Sequence, residues 1–275
     1  MAVLSAKAIT MDERLRNAVE NAYEAFQTAI IGQTLEVCRC AVCFGGAEEA
    51  ERILVQTPLR EITAAQLAVY TNSAHGWHDD MLYFLPRYLE LLALGEVPAW
   101  FETDYCLARL SEVDWREIWP VARREALDGF FCEYLSAAFS NAHLMSLSAE
   151  AKTMGYYDYT DLRSAITLVA NAGADLGVLS GILQVASGTV PALATAVLII
   201  ESSQELTEGI LDWALIGTSA PQRLARWLTG TTTASKLRDA QALVVEPIET
   251  ATLSLAISIL VSLSQSGDDE DRQNI

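Results

Sequence analysis

Basic side chains are scarce in this chain. Its 275 residues include 18 Lys and Arg against 36 Asp and Glu, a formal net charge of −18. Phosphate backbones are held by clustered Lys and Arg that displace counterions, so the deficit excludes nucleic acid as an expected partner. It equally disfavours docking on anionic lipid. Long apolar runs are scarce too. Hydrophobic residues make up 51% of the chain, yet no run reaches the roughly 20 residues a spanning helix needs. Val190–Ile200 contains Pro191 and ends at Glu201, and Ala251–Leu263 is interrupted by Thr252, Ser254, Ser258 and Ser262. Both stretches read as buried core helices rather than membrane segments.

Other signatures are missing as well. The first ten residues hold no secretory apolar core. The cysteines number five, an odd count that suits unbridged thiols in a reducing compartment better than a disulfide framework. A cytoplasmic location is therefore expected. No G-x-S-x-G, P-loop, Rossmann glycine pattern or H-E-x-x-H occurs. The sequence thus leans away from an enzyme without settling the point.

What is present is helical periodicity. Apolar residues recur at three- and four-residue spacing, punctuated by Gly, Pro and capping residues, so the expected fold is all-α. Thr10-Met-Asp-Glu13 opens a helix through about Ile31 with Leu15, Ala18, Val19, Ala22, Phe26 and Ile30 on one face. Thr63-Ala-Ala-Gln66 repeats the capping-box pattern, and Gly95 is positioned to stop an apolar helix that begins after Asp79 and Asp80. Pro86 inside that helix predicts a kink or a restart. Pro120 suits the start of another helix. About a dozen helices with short connections fit a HEAT-like stacked array or an irregular helical domain. One domain over 1–265 is expected, with 144–157 the sole weak division point. An acidic tail, Ser266 to Ile275, has nothing to bury and is expected to be disordered.

Three constellations carry chemistry. Cys38, Cys40 and Cys43 lie ahead of His75 and His78, and thiolate with imidazole is the usual ligand set for tetrahedral zinc. The competing reading packs the cysteines as small apolar residues at a helix junction, with no cofactor. Redox activity is a third reading, but the βαβ context of a redox C-x-x-C is missing. His75, His78, Asp79 and Asp80 form a second cluster, in which the aspartates also serve as ordinary negative charge at a helix start. Aromatic residues gather between 77 and 139 and most must be core. Trp115 and Trp119 flank a proline turn, and Tyr157 lies in a tyrosine-rich loop, so these three are the candidate anchors for a partner protein.

The segments Thr57-Pro-Leu-Arg-Glu-Ile-Thr63 and Asp79-Asp-Met-Leu-Tyr-Phe-Leu-Pro-Arg-Tyr-Leu-Glu-Leu91, with the cysteines before them and Trp115 to Pro120 after, follow a recognisable order. The chain resembles a group of uncharacterised bacterial proteins of similar length that carry these features in the same sequence. The similarity extends weakly to Arg226-Trp227-Leu228 and the closing helix. Met81 and Tyr83 stand where that group has an aromatic residue and a histidine, and its cysteines are adjacent. The resemblance therefore implies a shared fold and no particular activity or metal. Binding another macromolecule, a protein with a basic surface, through the acidic exterior is the function expected; a zinc protein or an enzyme using the Cys/His residues is the alternative.

Overall fold

The computed structural model describes residues 11–40, 48–73, 79–96, 98, 107–140, 160–175, 181, 186, 188–211, 213 and 220–273. Among the described residues all regular structure is helical and no strand occurs, so the protein is all-α. Two compact units emerge: Met1–Ala137 with Asn171–Ala174, and Ala138–Ala170 with Asp175–Ile275.

The first unit opens with α1 (Glu13–Phe26), capped by Asp12, whose side chain accepts the Leu15 N–H at 2.8 Å. Its buried stripe is Leu15, Ala18, Val19, Ala22 and Phe26, as the periodicity predicts. The helix ends five residues earlier than expected, leaving Ile30 86% exposed. At that end the Arg123 guanidinium donates to the Ala25 carbonyl in the last turn and to Thr28 Oγ1 just beyond it, a partner supplied from outside the helix.

Next come α2 (Glu48–Gln56), a 3-10 turn at Leu59–Glu61, and α3 (Ala64–Ser73). The capping box of α3 is complete. Thr63 Oγ1 accepts the Gln66 N–H, and Gln66 Oε1 accepts the Thr63 N–H at 2.8 Å. The following helix, α4 (Asp80–Ala93), runs through Pro86 without a restart and packs against α1. It stops as predicted at Gly95, whose φ of 76° lets the Glu96 N–H reach the Leu91 carbonyl at 2.8 Å and the Gly95 N–H reach that of Leu92 at 3.0 Å. A short α5 (Trp115–Ile118) and a long α6 (Val121–Ser140) follow on either side of Pro120.

The segments 57–63 and 79–91 meet α1 in one polar network. Tyr23 on α1 donates to Glu90 at 2.6 Å, Arg87 also binds Glu90 at 2.5 Å, and Arg87 Nε holds the Ile62 carbonyl. Arg60 lies 3.7 Å over the Tyr23 ring and forks onto Glu20 at 2.9 and 2.6 Å. These conspicuous residues thus clamp α1, the 3-10 turn and α4 together. Burial, followed by the bond to Glu90, pushes the Tyr23 hydroxyl well above its ordinary pKa.

The second unit contains α7 (Thr160–Asn171, apart from its last residue), α8 (Thr189–Glu201), α9 (Ser203–Thr207), α10 (Ala220–Thr229), α11 (Thr231–Gln241) and α12 (Pro247–Gln273). Every residue of α8 from Ala192 to Ile199 is buried, so the apolar stretch at 190–200 is a core helix. It packs on α11 and α12. The other stretch behaves differently. Pro247–Gln265 is long and apolar enough to cross a membrane, and 22% of it is buried. The hydroxyls that break the apolar run do not break the helix, and each donates to a carbonyl one turn back. Helical structure then continues through Gln273, over the segment expected to be disordered. Extending an existing helix costs far less than nucleating one.

Candidate functional site

Two of the five proposed metal ligands fall on a described loop, and backbone bonds fix where that loop lies. Leu35 N–H donates to Glu51 Oε1 at 2.7 Å, Glu36 N–H to Asp80 Oδ2 at 2.8 Å, and Cys38 N–H to the Ser73 carbonyl at 2.7 Å. Glu51 and Asp80 are both buried, so each carboxylate satisfies a loop amide that would otherwise lose its water. Arg39 forks onto Glu51, at 2.5 and 3.1 Å. Its hydrogen bond is the main reason the Glu51 carboxyl is held below the ordinary range. Cys38 is half-buried and Cys40 exposed. Cys43, His75 and His78 lie outside the described residues, and among those described no group of three His, Cys, Asp or Glu could hold a metal ion. Asp80, read in the sequence as helix-start charge, stands in the first turn of α4 and also ties the cysteine loop to that helix.

The tryptophan expectation is corrected. Trp115 and Trp119 are 2% and 7% exposed, so neither is available as a surface anchor. Trp115 donates its indole N–H to the Ala172 carbonyl at 3.0 Å, and Trp119 packs edge-on against Phe26 with ring centroids 5.5 Å apart. The residue before a proline is driven to extended backbone, and Trp119, at φ −83° and ψ 150°, turns its ring inward. Tyr157 lies outside the described residues.

Exposure at that turn passes to the neighbours. Ile118 and Val121, on either side of the buried ring, are 66% and 55% exposed. Around them Glu112, Asp114, Glu117 and Glu125 are all exposed. The nearby cations are engaged internally: Arg116 with Asp128 at 2.7 Å and the Gly173 carbonyl, Arg123 with α1, and Arg124 with the Arg116 carbonyl. The turn therefore exposes apolar side chains with exposed carboxylates before and after them in the chain, while its half-buried arginines bond to acceptors of the protein itself. The sequence singles out the two tryptophans and the structure buries both, because aromatic size alone does not say which way a ring turns at a proline.

The second unit holds a pocket of about 110 Å³ lined by Trp227, Thr195, Thr233, Leu237 and Lys236 among others. Lys236 reaches it from α11 and donates to the Ala186 carbonyl at 2.9 Å. Burial lowers the pKa of its ammonium. Thr195 and Thr233 donate to the Pro191 and Trp227 carbonyls, and Lys236 and Asp239 are the charged residues of the lining. Nothing in the sequence marks this pocket, since its walls are ordinary amphipathic helix residues.

The fold and these sites define an all-α protein of two helical units. No protein-family model, curated protein or solved structure matches the chain.

Proposed function

We propose that this protein binds a partner protein of basic surface through the face at the α5–α6 turn. The observation that carries the reading is the exposure of Ile118 and Val121 among Glu112, Asp114, Glu117 and Glu125 while Arg116, Arg123 and Arg124 bond inward. Exposed apolar side chains supply the contact area that excludes water, and the surrounding carboxylates select and steer a cationic partner. The buried tryptophans serve as a rigid floor, so the face is held in place before binding. A cytoplasmic setting belongs to the same proposal and rests on the unbridged thiols of Cys38 and Cys132.

Affinity capture with the full chain, compared with an Ile118→Ser, Val121→Ser variant, tests it. Recovery of basic proteins by the parent chain, depleted about tenfold by a change worth roughly 1.4 kcal/mol in the variant, is expected. Equal recovery by both chains would remove the reading.

A further inference from the structure

The pocket of the second unit lies where α8 packs on α11, with Trp227 of α10 as a further wall. Among its lining residues Thr195, Thr233, Leu237 and Ala240 are buried, whereas Asp239 and Leu243 are exposed, so the space has an enclosed wall and an open mouth. Thr233, Leu237 and Ala240 follow one another at helical spacing, which places them on one face of α11. Trp227 is fixed from two sides. Phe139 meets its ring edge-on with centroids 6.4 Å apart, and its carbonyl accepts the Thr233 hydroxyl at 2.7 Å. The Thr195 hydroxyl is likewise committed within the protein, to the Pro191 carbonyl at 2.8 Å.

Size and charge together select an occupant. An apolar cavity of about 150 Å³ holds a six-carbon ring, so the 110 Å³ of this pocket suits an apolar body of about four carbons. Lys236 is the cation of the lining, half-buried on α11, in a protein with twice as many acidic as basic side chains. The Ala186 carbonyl that its ammonium meets at 2.9 Å is a dipole and carries no full counter-charge. An anionic oxygen bonds an ammonium more strongly than a carbonyl does, so the polar end of the ligand is an anion. Asp239, exposed at the mouth, repels a second negative charge and favours a monoanion over a dianion.

We infer that this pocket binds a small aliphatic monocarboxylate of about four carbons, its chain against Trp227 and Leu237 and its carboxylate at Lys236. Every lining residue named belongs to the second unit, so the site is independent of the α5–α6 turn in the first.

The test is a ligand-observed NMR titration of the full chain with butyrate, set against butyramide and butylamine as its neutral and cationic counterparts and succinate as the dianion. Butyrate is expected to bind with a Kd of about 1 mM or below, and about tenfold more tightly than each of the other three. Lys236→Met keeps an apolar stem and removes the charge, so it is expected to weaken butyrate about tenfold and to erase its advantage over butyramide. Asp239→Asn, at an exposed position, is expected to tighten butyrate about twofold and to narrow the gap to succinate. Lys236 also holds the Ala186 carbonyl, so the ligand series and Asp239→Asn supply readouts that do not depend on the fold of Lys236→Met. No binding of butyrate at about 10 mM, ten times the expected Kd, overturns the inference. So does butyramide or butylamine binding as tightly as butyrate, which makes the pocket an apolar or a cation site, and so does unchanged butyrate binding in a folded Lys236→Met protein.

Discussion

The indole nitrogen of Trp115 stands 3.3 Å from the position a Cβ on Gly173 would take, and it donates to the carbonyl of the preceding residue, Ala172, at 3.0 Å. Gly173 also has a φ of 78°, in the left-handed region. Position 173 therefore favours glycine for two reasons at once, and both concern the floor under the α5–α6 face.

Gly173→Ala is expected to destabilise by about 1–2 kcal/mol from backbone strain alone. Trp115→Phe leaves the buried Ala172 carbonyl without its donor and is expected to lose about 1–3 kcal/mol. Urea denaturation followed by circular dichroism measures both. A Gly173→Ala protein as stable as the parent would contradict the left-handed backbone at that position.

Much of this was legible beforehand. The apolar stripe of α1, the Thr63/Gln66 box and the Gly95 stop follow from local rules acting over three to six residues, and all three are present. What escaped depends on distant contacts. Arg123 bonds the end of α1 from about a hundred positions away, and Trp119 turns toward Phe26 across a similar gap. The apolar stretch at 251–263 was misjudged in another way. Composition shows that it is hydrophobic, but only packing shows that α8 is enclosed while α12 keeps an open side.

Glu51 makes stability depend on acid. Its carboxyl titrates below the ordinary 4.5 because Arg39 donates to it, with the Leu35 amide adding to the effect. A lowered folded pKa gives stability that is fully present above the unfolded value and is lost as pH falls through the folded one. Glu51→Gln is expected to cost about 1–3 kcal/mol near neutrality and to flatten the decline below pH 4.5. Urea midpoints across the acid range decide it, and an unchanged acid slope in the variant would count against the role given to Glu51.

The polar clamp of the first unit should respond unevenly. Arg60 and Glu20 are about half exposed, so Glu20→Gln is expected to change stability by only about 0.2–1 kcal/mol. Tyr23→Phe and Arg87→Lys reach the more sheltered Glu90 and are expected to lose about 1–3 kcal/mol each. A larger loss at Glu20 than at Arg87 would reverse this order.

The cysteine loop is held through the Leu35, Glu36 and Cys38 amides, none of which uses a thiol. Cys38→Ala is therefore expected to leave the melting temperature within about 2 °C, the shift of well under 1 kcal/mol in a chain of this size. A chelator should leave it equally unmoved. A fall of several degrees with either would show that the thiols bear load, as a zinc site requires.

Binding through the acidic, apolar face of the first unit is the central claim. Its most direct measurement is the salt dependence of Kd for the captured partner against the parent chain and a Glu117→Lys, Glu125→Lys variant, both positions exposed. The expected result is about tenfold weaker binding by the variant together with a shallower dependence on salt. An unchanged Kd with an unchanged salt slope would contradict it.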